Sequence, residues 1–249
     1  DIQTKQFHRN TRFSEIIEEY EFDRGLRAVA FAVIERLEIA IRTTMANRLA
    51  IAHGPHWYLK PEIFKPNARW TFGQMLSKIE REVGLAERQV FIQSYNSKYD
   101  DPYIAQSWAI TECVSFGFWS KTYNILRFRD DKRAISLKFD VSIHEVFQSW
   151  LHTLSYFRNV VAHHDRLLRT TLAISPLRYS AGRIHFRQTN GPYTSNVYAV
   201  MVIMAYLTKA SGLSSTFKCD LQKHFAMFPD IDIAQIGFPS DWANRPEWN

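Results

Sequence analysis

Arg158-Asn159-Val160-Val161-Ala162-His163-His164-Asp165-Arg166 is the stretch that decides how this chain reads. It closes the most regular helical pattern in the sequence. Ser142-Ile143-His144-Glu145 has the form of a capping box, with Ser142 as N-cap and Glu145 at N3. Apolar residues follow at Ile143, Phe147, Trp150, Leu154, Phe157 and Val161, one continuous stripe for packing against other helices. The pattern predicts a helix from Ser142 to about Arg169. On a helical wheel His152, Asn159, His163 and Arg166 gather opposite the stripe, Arg158 lies on its shoulder, and His164 falls beside it. Two histidines, two arginines and an asparagine at one helix end exceed what solubility requires.

Those residue types are compatible with a metal-free cleavage of RNA, one of the chemistries they could serve. RNA is cut without a metal when its ribose 2′-hydroxyl attacks the adjacent phosphate. A base must take the proton, an acid must protonate the leaving oxygen, and a cation must steady the charged phosphorane. Histidine titrates near neutrality and can carry the protons. Arginine keeps its charge and forks onto two phosphate oxygens. Arg158 and His163 supply both, and Asn159 can orient either.

Arg158 to His163 fits R-x4-H, the signature of HEPN ribonucleases, with the polar residue after the arginine that this superfamily favours. The longer string Leu154–Leu167 resembles the core of the Abi-like (abortive infection, AbiD/AbiF) branch of bacterial phage-resistance proteins. Matching segments recur in order: Tyr20-Glu21-Phe22-Asp23-Arg24-Gly25-Leu26-Arg27, Ile34-Glu35-Arg36-Leu37-Glu38 with Arg42, Trp108, Glu112, Ser115-Phe116-Gly117, and Gly237-Phe238-Pro239-Ser240-Asp241-Trp242. The resemblance therefore covers nearly the whole chain. The short motif is weak alone: with 20 arginines and 9 histidines, about two matches arise by chance. Arg48 to His53 is one such match. It lacks the polar residue after the arginine, sits in an apolar helix, and reads as coincidence.

The resemblance implies an all-α, HEPN-like helical bundle with additional helices, forming a single domain over residues 1–249. It implies a metal-independent endoribonuclease of phage defence or a toxin; the cysteine usage adds a reducing cytoplasm as its expected place. The catalytic residues would be Arg158, Asn159 and His163, with His164 and Arg166 as secondary candidates. Geometry points to a homodimer. Residues five apart lie roughly 140° apart on a regular helix, so one helix does not aim Arg158 and His163 at one phosphate. Two copies meeting through Arg158–Arg166 would, and HEPN nucleases commonly share a site in this way. A toxic nuclease needs restraint, so a noncoding RNA or protein antitoxin is the further partner the resemblance implies. The alternative function is a non-catalytic RNA-binding module on the same fold. Members of the branch usually carry a further Tyr-rich segment before Tyr20, and it is absent from these residues.

Metal hydrolysis is the competing mechanism. His163, His164 and Asp165 are ligand types, but neighbours on a helix point about 100° apart and no His-Glu-x-x-His or Cys/His spacing occurs. No metal and no cofactor is expected. His164 has its own ordinary reading, a hydrogen-bonded core histidine beside the apolar stripe.

Composition agrees with this picture without deciding it. The chain has 249 residues, a net charge of +6, 46% hydrophobic and 14% aromatic residues, and only 9 Gly and 9 Pro, which favours helices. The positive charge suits a polyanion such as RNA. Cys113 and Cys219 form no motif and read as core thiols of a reducing compartment. No membrane span or signal peptide is evident.

Outward from the motif, residues 1–12 read as an irregular basic lead-in. Phe13 to about His53 reads as one long helix with Leu26, Val29, Ala30, Val33, Leu37 and Ile41 on one face, a kink at Gly25, and an end at Gly54-Pro55. Asp23–Arg27 and Glu38–Arg42 read as surface ion pairs. In the functional alternative, Arg27 and Arg42 face the RNA. The aromatic stretch 55–70 reads as a loop anchored in the core. Helices are expected at Thr71–Val83 and Ala86–Tyr95, joined at Gly84, then at Tyr103–Val114, Phe116–Ile125, Asn196–Lys209 and Ser215–Phe228. Glu112 either orients a site arginine or is simply exposed. Arg127–Arg133 reads as a solvated loop, and Trp242 and Trp248 as packing back on the body. Residues 176–193 alternate around Ala181-Gly182 like a short β-hairpin, with Arg178, Arg183 and Arg187 as RNA-contact candidates.

Overall fold

The structure, a computed structural model, describes residues 12–67, 69–179 and 195–248. Among the described residues, nine α-helices and five short 3-10 turns make up the regular structure, and the only β pairing is an isolated bridge between Phe64 and Leu126. The mainly helical class is as the sequence implies. The helices are α1 (Phe13–His53), α2 (Phe72–Leu85), α3 (Val90–Asn96), α4 (Ser107–Ile110), α5 (Phe116–Ile125), α6 (Arg129–Leu137), α7 (His144–Ala162), α8 (Val197–Ala210) and α9 (Phe217–Met227).

Helix α1 is the axis of the molecule, packing on α4, α5, α6, α7, α8 and α9. Its buried residues Leu26, Ala30, Val33, Leu37 and Ile41 are those the periodicity selects, and Gly54, at φ 90°, ends it. The helix runs unbroken through Gly25. A Cβ there would collide with the His224 ring, whose Nε2 lies 2.9 Å from the Phe22 carbonyl. Glycine serves close helix approach at this point, not a kink.

Helix α7 is buried on most sides, with Phe147, Trp150, Leu154, Phe157 and Val161 all at or below 3% exposure. Its ends differ from the expectation. Ile143, itself exposed, is the N-cap, and the Ser142–Glu145 box does not form. The backbone N–H and hydroxyl of Ser142 bond instead to the Tyr179 hydroxyl, at 2.9 and 3.0 Å. At the other end the helix stops at Ala162 rather than near Arg169.

Three more segments differ. Only Ser107–Ile110 of Tyr103–Val114 is helical, and Gly84 lies inside α2 rather than between helices. Arg127–Arg133 is not a loop, because α6 begins at Arg129 and buries Asp131 and Lys132. Cys219 is exposed and Cys113 half-buried, so neither is a core thiol. Trp57 and Tyr58 are fully buried, as the anchored loop requires, and Trp242 and Trp248 pack into the same apolar cluster as α1 and α7. Most of the expected hairpin, with Arg183 and Arg187, lies outside the described residues.

Candidate functional site at the end of helix α7

The last turn of α7 closes with a left-handed cap. His163 is the C-cap and still donates its backbone N–H to the Asn159 carbonyl, at 2.9 Å. His164 follows at φ 63°, and the Asp165 N–H reaches back to the Val160 carbonyl at 3.1 Å. That six-to-one bond is the Schellman closure, which normally places glycine where His164 stands. A side chain at positive φ strains the backbone by about 1 kcal/mol. His164 is exposed, not a core histidine.

Arg158 is half-buried, while Asn159, His163, His164 and Arg166 are exposed. Among the described residues no side-chain hydrogen bond or ion pair engages Asn159, His163 or His164, and none joins Arg158 to His163. Arg158 is aimed from beneath by Glu38, whose Oε2 lies 3.4 Å from its Nε. Glu38 also faces Arg42 at 4.0 Å, and Arg42 meets Glu112 at 3.3 Å. Glu112 thus grips an arginine next to the site, although its own side chain is largely exposed.

The loop after α7 is fixed from α1. Asp23 accepts the N–H of Leu167 at 3.1 Å and of Leu168 at 2.9 Å, one on each oxygen. Arg27 donates to the Asp165 carbonyl at 3.2 Å and lies 3.9 Å from Asp23. Asp23 and Arg27 are only 5% and 6% exposed. Burial holds the Asp23 carboxyl above the usual carboxylate range despite its two amide donors and Arg27. One turn earlier, Glu19 binds Arg166 at 2.7 Å and Arg169 at 2.5 Å, and chiefly the Arg169 hydrogen bond holds the Glu19 carboxyl below its usual range.

These contacts correct the surface reading of Asp23–Arg27 and Glu38–Arg42. Asp23 and Arg27 are buried, and Glu38 with Arg42 is largely enclosed, because α7 covers that face of α1. Arg27 ties down backbone and does not face solvent, and Arg42 is largely enclosed between two carboxylates. Arg178 is exposed just before the undescribed residues. Arg48 and His53, the second R-x4-H match, both converge on buried Asp131. The sequence reading missed Glu38 as the partner of Arg158 and Asp131 as the link between Arg48 and His53. Among the described residues no three His, Cys, Asp or Glu side chains are grouped to hold a metal ion.

The chain is thus a helical scaffold whose Arg-Asn-x3-His end, with Asn159 and His163 exposed, stands above enclosed ion pairs. The model of the Abi-like protein family matches residues 2–169, so the chain belongs to that family. The family suggests abortive infection, a form of phage defence. No curated protein and no solved structure matches the chain. No helix among the described residues is long and apolar enough to cross a membrane.

Proposed function

We propose that the protein is a metal-independent endoribonuclease of phage defence or a toxin, with Arg158, Asn159 and His163 as its catalytic residues. The observation that carries this reading is the α7 terminus. Asn159, His163 and His164 stand exposed and unengaged there beside half-buried Arg158, at a helix end whose following loop is held in place by buried charges. His163 moves the proton, as base toward the 2′-hydroxyl or as acid toward the leaving oxygen. Arg158, oriented by Glu38, meets the phosphorane charge. Asn159, one turn below His163, positions the imidazole or a phosphate oxygen. His164 is a second proton carrier, and its strained backbone is what a functional side chain at a glycine position entails.

One chain supplies a single His163, whereas acid and base are two roles. A homodimer packed through Arg158–Arg166 supplies two. Phe13, Ile17 and Tyr20 lie exposed along one face of the start of α1, beside the Glu19–Arg166 pair, and offer the apolar surface such packing needs. Restraint by an RNA or protein antitoxin belongs to the same reading.

The test is RNA cleavage by purified protein in EDTA, with wild type beside His163→Ala and Arg158→Ala, product ends analysed for 2′,3′-cyclic phosphate, and mass measured by sedimentation. Cleavage by wild type alone with cyclic ends is expected. Cleavage only after adding a divalent metal would replace the mechanism. RNA binding without cleavage under any condition would favour the non-catalytic module.

A further inference from the structure

The charged stretch around Phe128 carries a second site, at the far end of α1. The Phe128 ring is 43% exposed. It stacks on His53, with centroids 5.6 Å apart and planes within 20°. His53 is itself held: its Nε2 lies 2.6 Å from Asp131 Oδ2, while Asp131 Oδ1 takes Nε of Arg48 at 2.9 Å. Asp131 is 3% exposed. The aromatic face is therefore built on a buried carboxylate and fixed in orientation, not left to swing on a loop.

Cations surround it. The Arg127 N–H bonds the Ile63 carbonyl and the Lys65 N–H bonds the Ile125 carbonyl, both at 2.8 Å, which sets Lys65 beside Arg127. Both line an open groove of about 590 Å³ together with Asn67, Phe64 and Phe72. Lys65, Arg127, Arg129 and Arg133 are exposed, and none has an ion-pair partner among the described residues. The nearby acids are Glu62, Asp130 and Glu145, the last turned onto His144 at 3.2 Å. Burial pushes the His144 pKa down, and Lys132, Arg129 and Lys65 add to the effect against Glu145. The first turn of α6 carries Asp130 and Asp131, so the positive charge of this surface comes from its lysine and arginine side chains and not from the helix end.

An open aromatic face between unpaired cations is what single-stranded nucleic acid needs. Any base stacks on the ring, and the flanking phosphates meet the charges. Glu38, beneath Arg158, and His53 are separated by roughly 22 Å along α1 at 1.5 Å per residue. The surface is thus distinct from the α7 end yet rigidly connected to it.

We propose that Phe128, seated on His53 and flanked by Lys65, Arg127 and Arg129, forms a binding surface for single-stranded RNA that holds the strand away from the cleavage site. The purpose of the surface rests on the nuclease reading; its existence does not. The test uses full-length protein carrying His163→Ala, so that the strand stays intact, and a labelled single-stranded RNA followed by fluorescence anisotropy across a salt series. Phe128→Ala should weaken binding about tenfold or more, and Phe128→Trp should restore it. Lys65→Ala, Arg127→Ala and Arg129→Ala should each flatten the slope of log K against log salt by about 0.7. Unchanged affinity and slope in these variants overturn the surface, as does failure of the parent to bind RNA. Cleavage by wild-type protein, with binding unmoved by the variants, sinks the surface and leaves the nuclease. Weakened binding in the variants, with no cleavage by wild type, does the reverse.

Discussion

Asp23→Ala should disable the α7 terminus without touching a single exposed residue of it. The carboxylate accepts two buried amides, at 3.1 and 2.9 Å, and sits 3.9 Å from Arg27. Alanine leaves the Leu167 and Leu168 N–H groups without acceptors and the Arg27 charge buried without its carboxylate. Each hydrogen bond to a charged group contributes about 1.5–3 kcal/mol, and breaking a buried pair costs about 3–5 kcal/mol in total. Because burial already disfavours the ionised Asp23, the lower end, about 3 kcal/mol, is the better figure. For a chain of this size that lowers the melting temperature by about 6–12 °C. Asp23→Asn keeps one acceptor oxygen and should lose about half as much. Calorimetry gives the first quantity and RNA cleavage below the melting transition gives the second. Cleavage should fall at least tenfold in Asp23→Ala protein that is still folded, because the 163–168 loop has lost its anchor. A variant that melts and cleaves like wild type would refute the claim that α1 holds this loop.

Gly25→Ala should destabilise the fold by about 1–3 kcal/mol, since the new methyl displaces the His224 ring from the α1–α9 crossing; denaturant unfolding reads this, and an unchanged midpoint would contradict the close approach. His164→Gly should raise the melting temperature by a few degrees as the left-handed strain is relieved, while RNA cleavage drops if the imidazole carries a proton; full activity would reduce His164 to a cap. Burial lowers the pKa of His224 and of His144, so the unfolded chain takes up protons first as pH falls. The stability from keeping these rings neutral is complete above about pH 6.5 and is lost as pH falls through the lowered folded values. The urea midpoint should therefore be lower at pH 5.5 than at 7.5, and the difference should shrink in His224→Gln; an undiminished difference would free His224 of that role.

The helices that could be read from sequence are those whose pattern and punctuation agree. Gly54-Pro55 ends α1, and α5 spans the residues its apolar pattern marks out. Helix α6 was hidden because two of its buried residues, Asp131 and Lys132, are charged, and their partners lie on distant segments: Arg48 and His53 on α1, the Asn124 carbonyl at 2.9 Å and Gln148 at 3.1 Å. The end of α7 was hidden because no glycine marks it. Ion pairs such as Glu38–Arg42 look the same in sequence on a surface or beneath a neighbour, since only the covering helix makes them buried. For the same reason the residue types of the candidate site were legible in Arg158-Asn159 and His163, whereas Glu38 as the support of Arg158 was not.

The single 41-residue helix α1 acts as a ruler. Asp23 and Arg27 grip the loop after α7, Glu38 supports Arg158, and Arg48 with His53 seats the Phe128 platform. Each successive residue of a helix advances about 1.5 Å and turns about 100°. Deleting one residue between Arg27 and Glu38 would swing everything beyond it by that angle, and no neighbouring loop could restore both ends together. Length changes in this protein should therefore be tolerated in exposed connections such as residues 97–100 and refused within α1, where the proposed surfaces are kept in phase by counting residues.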